Sequence, residues 1–476
     1  IVLLFVQEGF SQLSKTHYVP PLTLSDNGSP GDQYIYLSTP STGIVNWTVR
    51  YGGENGAIFK QGQLSNTSPT IVDVNVYDAA APISWTELIV NSDETEQVLN
   101  KGFVITADSE IYVSVRIMSS SSNGSGYVQA GAIVSKGISA LGTRFRAGML
   151  QNHVSSHLGF ISVMATKNNT EVNFNLQGGI QTTKGQGSHS ISLDKFQSYI
   201  IANQDNTNSL IGTLILSDKD IVVNTGGYGS FDSSSGGQDY GIDQIAPSNL
   251  IGSEYIFIKG IANDAIETVL IIADQDNTNI NVNGDVLTDA SGNAVILNSG
   301  QYVYIKGSEF NSDGNLYVST DDPNDTLFAY QGTGKNFGSG TAVGANQGMY
   351  FVPSLNCATK GNVDNIPNIN KIGSTTFDDQ ATVSFITKEL ATILVNGFDV
   401  TGPPYNATPR LVDGNLDYVT YKIENLTGDI TIEGNDELYV AYVNSSGAAT
   451  TAGFYSGFTV PPNVEFDATL QTLGSC

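Results

Sequence analysis

Short runs of β-branched and aromatic residues, broken by Gly, Asn, Asp or Ser, recur along the whole chain, and helical periodicity is almost absent. Three stretches share one layout, in which a strand-like run is followed by a polar turn and a second run: 160–174, 269–282 and 383–395. Each is followed by a run that opens with an aromatic residue, and then by another run after an acidic turn. Runs of this kind indicate β-strands, and their recurrence indicates repeated units. The sequence therefore predicts an all-β fold.

Proline after an apolar residue recurs near the starts of units, at 18–21, 245–247, 350–353 and 458–462. Because proline cannot donate to a central ladder, it is typical of strand starts and edges. We predict four related β-sandwich-like units in tandem, and their arrangement as a closed pseudo-symmetric ring is one option. The predicted units are 13–140, 141–242, 243–348 and 349–457. Residues 1–12 are interpreted as the remnant of a signal peptide, and 458–476 as the start of a following, truncated segment.

Two smaller features complete this prediction. The Gly- and Ser-rich segments at 119–126, 226–237 and 332–348 are predicted to be exposed loops. Residues 83–99 are the best helix candidate, for one or two turns.

The charge balance limits the partners. The chain has 20 basic and 46 acidic residues, for a net charge of −26. Nucleic acid and anionic membrane surfaces require clustered Lys and Arg, so neither is expected as a partner. The apolar run 1–6 resembles the core of a signal peptide, with an apolar strand as the alternative, and no later run approaches the roughly 20 apolar residues of a membrane span. We therefore expect export to the cell surface or the medium.

Candidate chemistry is sparse. Asp274, Asp276 and Asp285 lie in an Asp- and Asn-rich segment whose oxygens suit calcium, but their spacing does not fit the twelve-residue calcium loop. Capping of turns by these side chains is the favoured interpretation. Cys357 and Cys476 are a candidate disulfide in an oxidising compartment. We predict no catalytic residue and no cofactor other than this candidate calcium.

The stretch 226–260 stands at the junction of the second and third units. A Gly- and Ser-rich run leads into a polar motif and then into the apolar run 254–259. We interpret the motif residues as structural and expect the two carboxylates to hold the turn of this junction together. The motif residues are Asp239, Gly241, Asp243, Gln244 and Pro247.

This stretch also carries a resemblance to a known family. Residues 236–247, with 218–223 before and 252–256 after, resemble the N-terminal domain of the IgG Fc-binding protein family, in particular its bacterial cell-surface members of the Bacteroidota type. Residues 14–22 and 356–367 resemble the same group, so the similarity extends over nearly all of 14–462. The resemblance implies an extracellular, multi-domain and non-enzymatic protein, and its motifs are structural.

Together these features predict a secreted or cell-surface protein that is not an enzyme. We expect it to act in adhesion or in binding an extracellular protein or glycan, through loops on a β scaffold. Two alternatives stay open: a secreted carbohydrate-active enzyme on a β-repeat fold, and a passive spacer module of a larger surface protein. The sequence predicts neither the identity of the ligand nor the oligomeric state.

Overall fold

Strands dominate the computed structural model, as predicted. It describes residues 12–24, 31–75, 86–119, 129–151, 157–204, 209–231, 238–337, 344–356, 363–377, 381–447 and 449–458. The helical elements in these ranges are four short 3-10 turns, at Ser92–Glu94, Gly137–Ala140, Ser248–Leu250 and Gly307–Glu309. The first is the only helical turn in the described part of the helix candidate 83–99, and it is capped by Asn91.

The first group of strands forms two sheets that share one long strand. The first half of that strand, β6, pairs with β1 and β3, and its second half pairs with β2 and β7. One sheet has the order β4-β3-β6-β1 and the other β5-β2-β6-β7. Polar residues 108–110 lie where β6 passes between the sheets. The strands are β1 (Ser14–Val19), β2 (Asp32–Ser38), β3 (Val45–Tyr51), β4 (Ile58–Leu64), β5 (Thr70–Asp73), β6 (Phe103–Met118) and β7 (Ala130–Val134).

The second group repeats this topology strand for strand. Its strands are β8 (Gly142–Arg146), β9 (Gly159–Ala165), β10 (Thr170–Asn175), β11 (His189–Leu193), β12 (Ser198–Asn203), β13 (Leu214–Gly229) and β14 (Asp239–Ile245). The long strand β13 is again shared, which gives the orders β11-β10-β13-β8 and β12-β9-β13-β14.

The third group keeps the pairing but divides the long strand in two, at the acidic turn 321–326. Its strands are β15 (Glu254–Ile258), β16 (Thr268–Ala273), β17 (Thr278–Val282), β18 (Asp285–Val286), β19 (Ile296–Leu297), β20 (Tyr302–Lys306), β21 (Asn315–Thr320), β22 (Leu327–Phe337) and β23 (Gly344–Phe351). The sheets are β15-β21-β17-β18, with β19 also on β17, and β20-β16-β22-β23.

The fourth group has the same divided pattern and two additions, a small hairpin (β25 and β26) and an edge strand (β30). Its sheets are β24-β32-β28-β29 and β30-β31-β27-β33-β34. The strands are β24 (Val363–Ile366), β25 (Lys371–Ile372), β26 (Thr375–Thr376), β27 (Thr382–Lys388), β28 (Ile393–Val395), β29 (Phe398–Asp399), β30 (Arg410–Leu411), β31 (Tyr418–Ile423), β32 (Ile430–Gly434), β33 (Leu438–Ser446) and β34 (Ala449–Ser456).

The four groups close into a ring. The last strand of each group, β7, β14, β23 and β34, contacts the last strand of the next group, and β34 contacts β7. We call these four the inner strands. They belong to different sheets, so the ring is closed by side-chain packing and by side-chain-to-backbone hydrogen bonds rather than by a continuous ladder. Of the arrangements considered from the sequence, the closed ring is the one the structure has.

Each inner strand carries a glycine where its neighbour approaches most closely. A Cβ on Gly131 would meet Tyr240 of β14, and one on Gly241 would meet Leu150 and, at 2.9 Å, Met349 of β23. A Cβ on Gly348 would lie 3.2 Å from Thr450 of β34, and one on Gly453 would lie 2.6 Å from Val134 of β7. The inner strands can therefore pack this closely because the facing position lacks a side chain.

The structure corrects two details of the sequence prediction. The unit boundaries at 242/243 and 348/349 fall inside β14 and β23, because each inner strand pairs with the long strand that precedes it. Glycine-rich residues 226–229, 332–337 and 344–348 belong to strands and not to loops. Here glycine reflects close packing at the centre of the ring. Residues 120–126, 232–237 and 338–343 of the predicted loops lie outside the described residues.

Candidate functional site

The polar motif lies at the centre of the ring. Asp239, Gly241, Asp243 and Gln244 all belong to β14, where the structure places them in a buried strand rather than in the turn we predicted. The alternation that a strand imposes is hidden in the sequence, because both faces of β14 are buried. Pro247 follows the strand and precedes the 3-10 turn at Ser248–Leu250, packed so closely on Gly142 that a Cβ there would overlap its ring.

Asp239 joins three of the four groups of strands. One carboxylate oxygen accepts a hydrogen bond from the backbone N–H of Ala130 at 2.5 Å, and the other accepts from Thr450 N–H at 2.7 Å. These donors lie at the starts of β7 and β34. Burial raises the pKa of Asp239 well above its ordinary value, and the backbone donors oppose this rise. The side chain thus satisfies backbone groups that no ladder reaches.

Asp243 forms a fully buried pair with Lys136, which follows β7. Nζ of Lys136 lies 2.9 Å from Oδ2 of Asp243, and neither side chain is exposed. The same oxygen accepts from Phe351 N–H of β23 at 2.9 Å. The ammonium also lies 4.8 Å from the ring centre of Phe458. Burial lowers the pKa of Lys136 and raises the pKa of Asp243, and their mutual attraction opposes both shifts.

Gln244 extends this cluster towards the first strand of the chain. Its Oε1 accepts from Lys136 N–H at 2.7 Å, and its Nε2 donates to the carbonyl of Tyr18 at 2.8 Å. The Ser135 hydroxyl lies 3.0 Å from Oε1 of Gln244 and 3.0 Å from Nδ1 of His17. Burial lowers the pKa of His17 to about 4, although backbone hydrogen bonds act against this, so the imidazole is neutral at pH 7.

We call Lys136, Asp239, Asp243 and Gln244 the central cluster. The side chains of all four are buried, as is that of His17. No dissolved substrate can reach them in this conformation. Their hydrogen bonds run mainly to backbone groups of neighbouring units, so the arrangement positions inner strands rather than carrying out a reaction at the surface.

A second buried polar site, which the sequence analysis missed, links the first group of strands to the fourth. The Arg116 guanidinium donates to the carbonyls of Asn368 at 2.7 Å, Lys371 at 2.9 Å and Pro367 at 2.9 Å. Its Cζ lies 4.0 Å from the ring centre of Tyr36. We call this arrangement the clasp. The only sequence signal is a rare arginine inside the apolar run of β6, and its partners are about 250 residues away.

Comparison with known families identifies the family of this chain. A family model described as IgGFc binding protein matches residues 131–445, about two thirds of the chain. The chain belongs to the IgGFc binding protein family. A search of curated proteins found no match. No helix within the described residues is long and apolar enough to cross a membrane.

The region that matches the IgGFc binding family is narrower than the predicted resemblance over 14–462. It begins inside β7 and ends inside β33, so it contains the whole central cluster. Arg116 and most of the first group of strands lie outside it. The motif in β14 is therefore a feature of the family region, and the clasp joins that region to the strands before it.

In this IgGFc binding family member, the calcium candidates do not converge. Asp274 is buried and paired with Arg146 at 2.6 Å and Arg144 at 2.8 Å, between the second and third groups of strands. Asp276 accepts from Ser299 N–H at 2.9 Å, and Asp285 is exposed in β18. Among the described residues, no three His, Cys, Asp or Glu side chains are grouped to hold a metal. Two of the three thus have other partners.

The structure of this family member does not describe the candidate disulfide or the signal-peptide candidate. Cys357 and Cys476 are outside the described residues, and so are 1–11.

A small cavity between the third and fourth groups has a volume of about 20 Å³ and is lined by Tyr350, Lys422 and Phe454 among others. That volume holds about one water molecule. Two surface grooves are larger, about 410 Å³ beside Gly178–Thr183 and about 390 Å³ beside Arg50–Gly56.

Proposed function

We propose that the chain is an exported, non-enzymatic binding module, which holds an extracellular protein or glycan on a surface built over the ring. The family match supports binding as the general activity. Adhesion, the choice between protein and glycan, and location at the cell surface are parts of the proposal. The single observation that carries it is that the starts of inner strands β7, β14 and β34 meet at one end of the ring.

That end of the ring is held in place by the central cluster. Asp239 binds the backbone at the starts of β7 and β34, and Gly348 of β23 lies against Thr450 of β34. The starts of β7, β14 and β34 therefore lie together on one side of the ring. Segments that enter strands on a rigid scaffold in this way are a common basis for ligand recognition.

Several contacts favour binding over catalysis. The carboxyl groups whose pKa is raised by full burial, Asp239, Asp243 and Glu267, are enclosed by backbone donors. The exposed carboxylates Asp289 and Asp399 accept hydrogen bonds within their own turns, which lowers their pKa. A hydrolase of polysaccharides would instead need two carboxyl groups facing one accessible cleft.

The proposal is tested with the purified full chain on a panel of extracellular proteins, immunoglobulin G Fc fragments included, and on a glycan array. We expect saturable binding to at least one member. Replacing 120–128 and 232–237 each by an Asn-Gly turn should abolish that binding and leave the circular dichroism unchanged. A matched control shortens the exposed turn 289–293 of the third group in the same way, which should leave binding intact.

Other outcomes would contradict the proposal. Binding that survives both shortened connections but is lost with the control would move the site to the outer face. Turnover of a polysaccharide, abolished by changing one carboxylate, would replace binding by catalysis. A folded chain with no saturable binding on either panel would favour the passive spacer.

A further inference from the structure

The Lys136–Asp243 pair differs from an ordinary ion pair in its surroundings. Both side chains are completely buried, and among the described residues no other charged side chain has a hydrogen bond to either. The ammonium faces the rings of Phe458 at 4.8 Å and Phe351 at 5.9 Å. Removing two charges from water into such a site is costly, and their attraction repays this only in part. A neutral amine beside a neutral carboxylic acid avoids that cost.

The carboxyl group is also held as an acceptor in one orientation. Its Oδ2 accepts from Phe351 N–H at 2.9 Å, and its Oδ1 accepts from Gln244 N–H at 2.8 Å. These two donors would stabilise negative charge on oxygen if the carboxyl carbon were attacked. The nitrogen that would attack is held beside this carboxyl group, because Nζ of Lys136 lies 2.9 Å from Oδ2. Two reacting groups fixed in this way can have an effective concentration of roughly 10⁵ M or more.

From this geometry we propose that Lys136 and Asp243 condense to form an intramolecular amide cross-link between the first and second groups of strands. The ammonium first gives one proton to the carboxylate, which leaves an amine and a carboxylic acid. The nitrogen lone pair attacks Cγ of Asp243 and forms the new C–N bond. One C–O bond of the carboxyl group then breaks. That oxygen leaves as water, with one proton from the acid and one from the amine.

The product fits the partners already present. The single amide oxygen that remains still has a backbone donor at Phe351 or Gln244. The amide N–H that remains on Lys136 faces the carbonyl of Val134, which is 3.4 Å from Nζ. Both polar groups of the amide thus have partners, and neither Lys136 nor Asp243 keeps a buried charge. The cross-link is independent of the ligand proposed above, because none of its atoms reaches the surface.

Intact-mass spectrometry of the folded full chain tests this directly. We expect a mass lower than that of the linear chain by one water, about 18 Da, and a branched peptide that joins the segments around Lys136 and Asp243 after proteolysis. Lys136→Arg keeps a cation but cannot form this amide, so it should show the full mass. Asp243→Asn should lose ammonia instead and reach the same final mass as the wild-type chain.

The wild-type measurement decides the matter even if a variant does not fold. A wild-type chain with native circular dichroism that keeps its full mass after several days at neutral pH would overturn the proposal, and the pair would then be an ion pair. Loss of one water without a branched peptide that contains Lys136 and Asp243 would overturn it as well, because the water would come from another site.

Discussion

The central cluster and the clasp are both buried polar sites that hold the ring together. Their side chains make opposite kinds of hydrogen bond to the backbone. In the central cluster, carboxylates accept from backbone N–H groups of Ala130, Thr450 and Phe351. In the clasp, a guanidinium donates to three backbone carbonyls of a single segment, 367–371. The first site connects all four groups of strands through short links, and the second closes the ring at one seam only.

The two sites also differ in whether a second substitution can compensate for the loss of a buried charge. Within the central cluster, the charge of Asp243 has a side-chain partner, so both charges can be removed together. The charge of Arg116 is balanced by carbonyl dipoles and by the faces of Tyr36 and Tyr442. No second substitution can compensate for its loss, since backbone carbonyls cannot be removed. The following predictions are arranged to test that distinction, beginning with the largest expected effect.

Arg116→Met should reduce the free energy of unfolding by about 4 kcal/mol, because it leaves buried carbonyls of 367–371 without their charged donor. The loss is measured by urea unfolding followed by circular dichroism. Arg50→Met, at an exposed position of β3, is the control and should change stability by less than about 0.5 kcal/mol. Equal effects of the two changes would contradict a role for the clasp.

Asp243→Ala should cost about 3 kcal/mol, because it leaves Lys136 buried without the carboxyl group that it pairs with before the proposed amide forms and is bonded to afterwards. Adding Lys136→Met should recover part of this loss, since no unpaired charge then remains. Thermal melting of the two variants gives the comparison. If melting were unchanged by Asp243→Ala while ligand binding disappeared, Asp243 would belong to a binding site and not to the architecture.

His17, which is linked to Gln244 of the central cluster through Ser135, should make stability depend on pH. The folded-state pKa of His17 is lowered to about 4, so its contribution to stability is present above pH 6.5 and is lost as the pH falls towards 4. Relative to His17→Gln, the wild-type chain should lose on the order of 3 kcal/mol across this window. Urea midpoints at pH 7 and pH 4.5 measure it. A parallel dependence in both chains would show that His17 is not the titrating group.

The smallest effect is expected from packing alone. Gly453→Ala should cost about 2 kcal/mol, because its Cβ would lie 2.6 Å from Cγ2 of Val134 in the neighbouring inner strand. Gly187→Ala is the matched control, since nothing lies within 4 Å of a Cβ there and its backbone is unstrained. Melting temperatures separate the two. A tolerated alanine at 453 would mean that the inner strands can move apart.

The sequence predicted the repeated β units well because strand periodicity and turn residues are local signals. It also predicted structural roles for Asp239 and Asp243, though not their position in a strand, because a strand buried on both faces shows no alternation. The clasp could not be predicted. Arg116 lies in an unremarkable strand, and its meaning depends on a contact with residues 367–371, which only the closed ring brings near.

Closure of the ring also determines where the two ends of the described chain lie. The side-chain amide of Gln12 donates to the carbonyl of Phe454 at 2.8 Å, and Ser139 donates to the carbonyl of Phe458 at 2.9 Å. The segment before β1 and the last strand, β34, therefore lie side by side in the ring. A pulling force applied between Gln12 and Phe458 would load those few hydrogen bonds first, and the tension would bypass most of the strands between them.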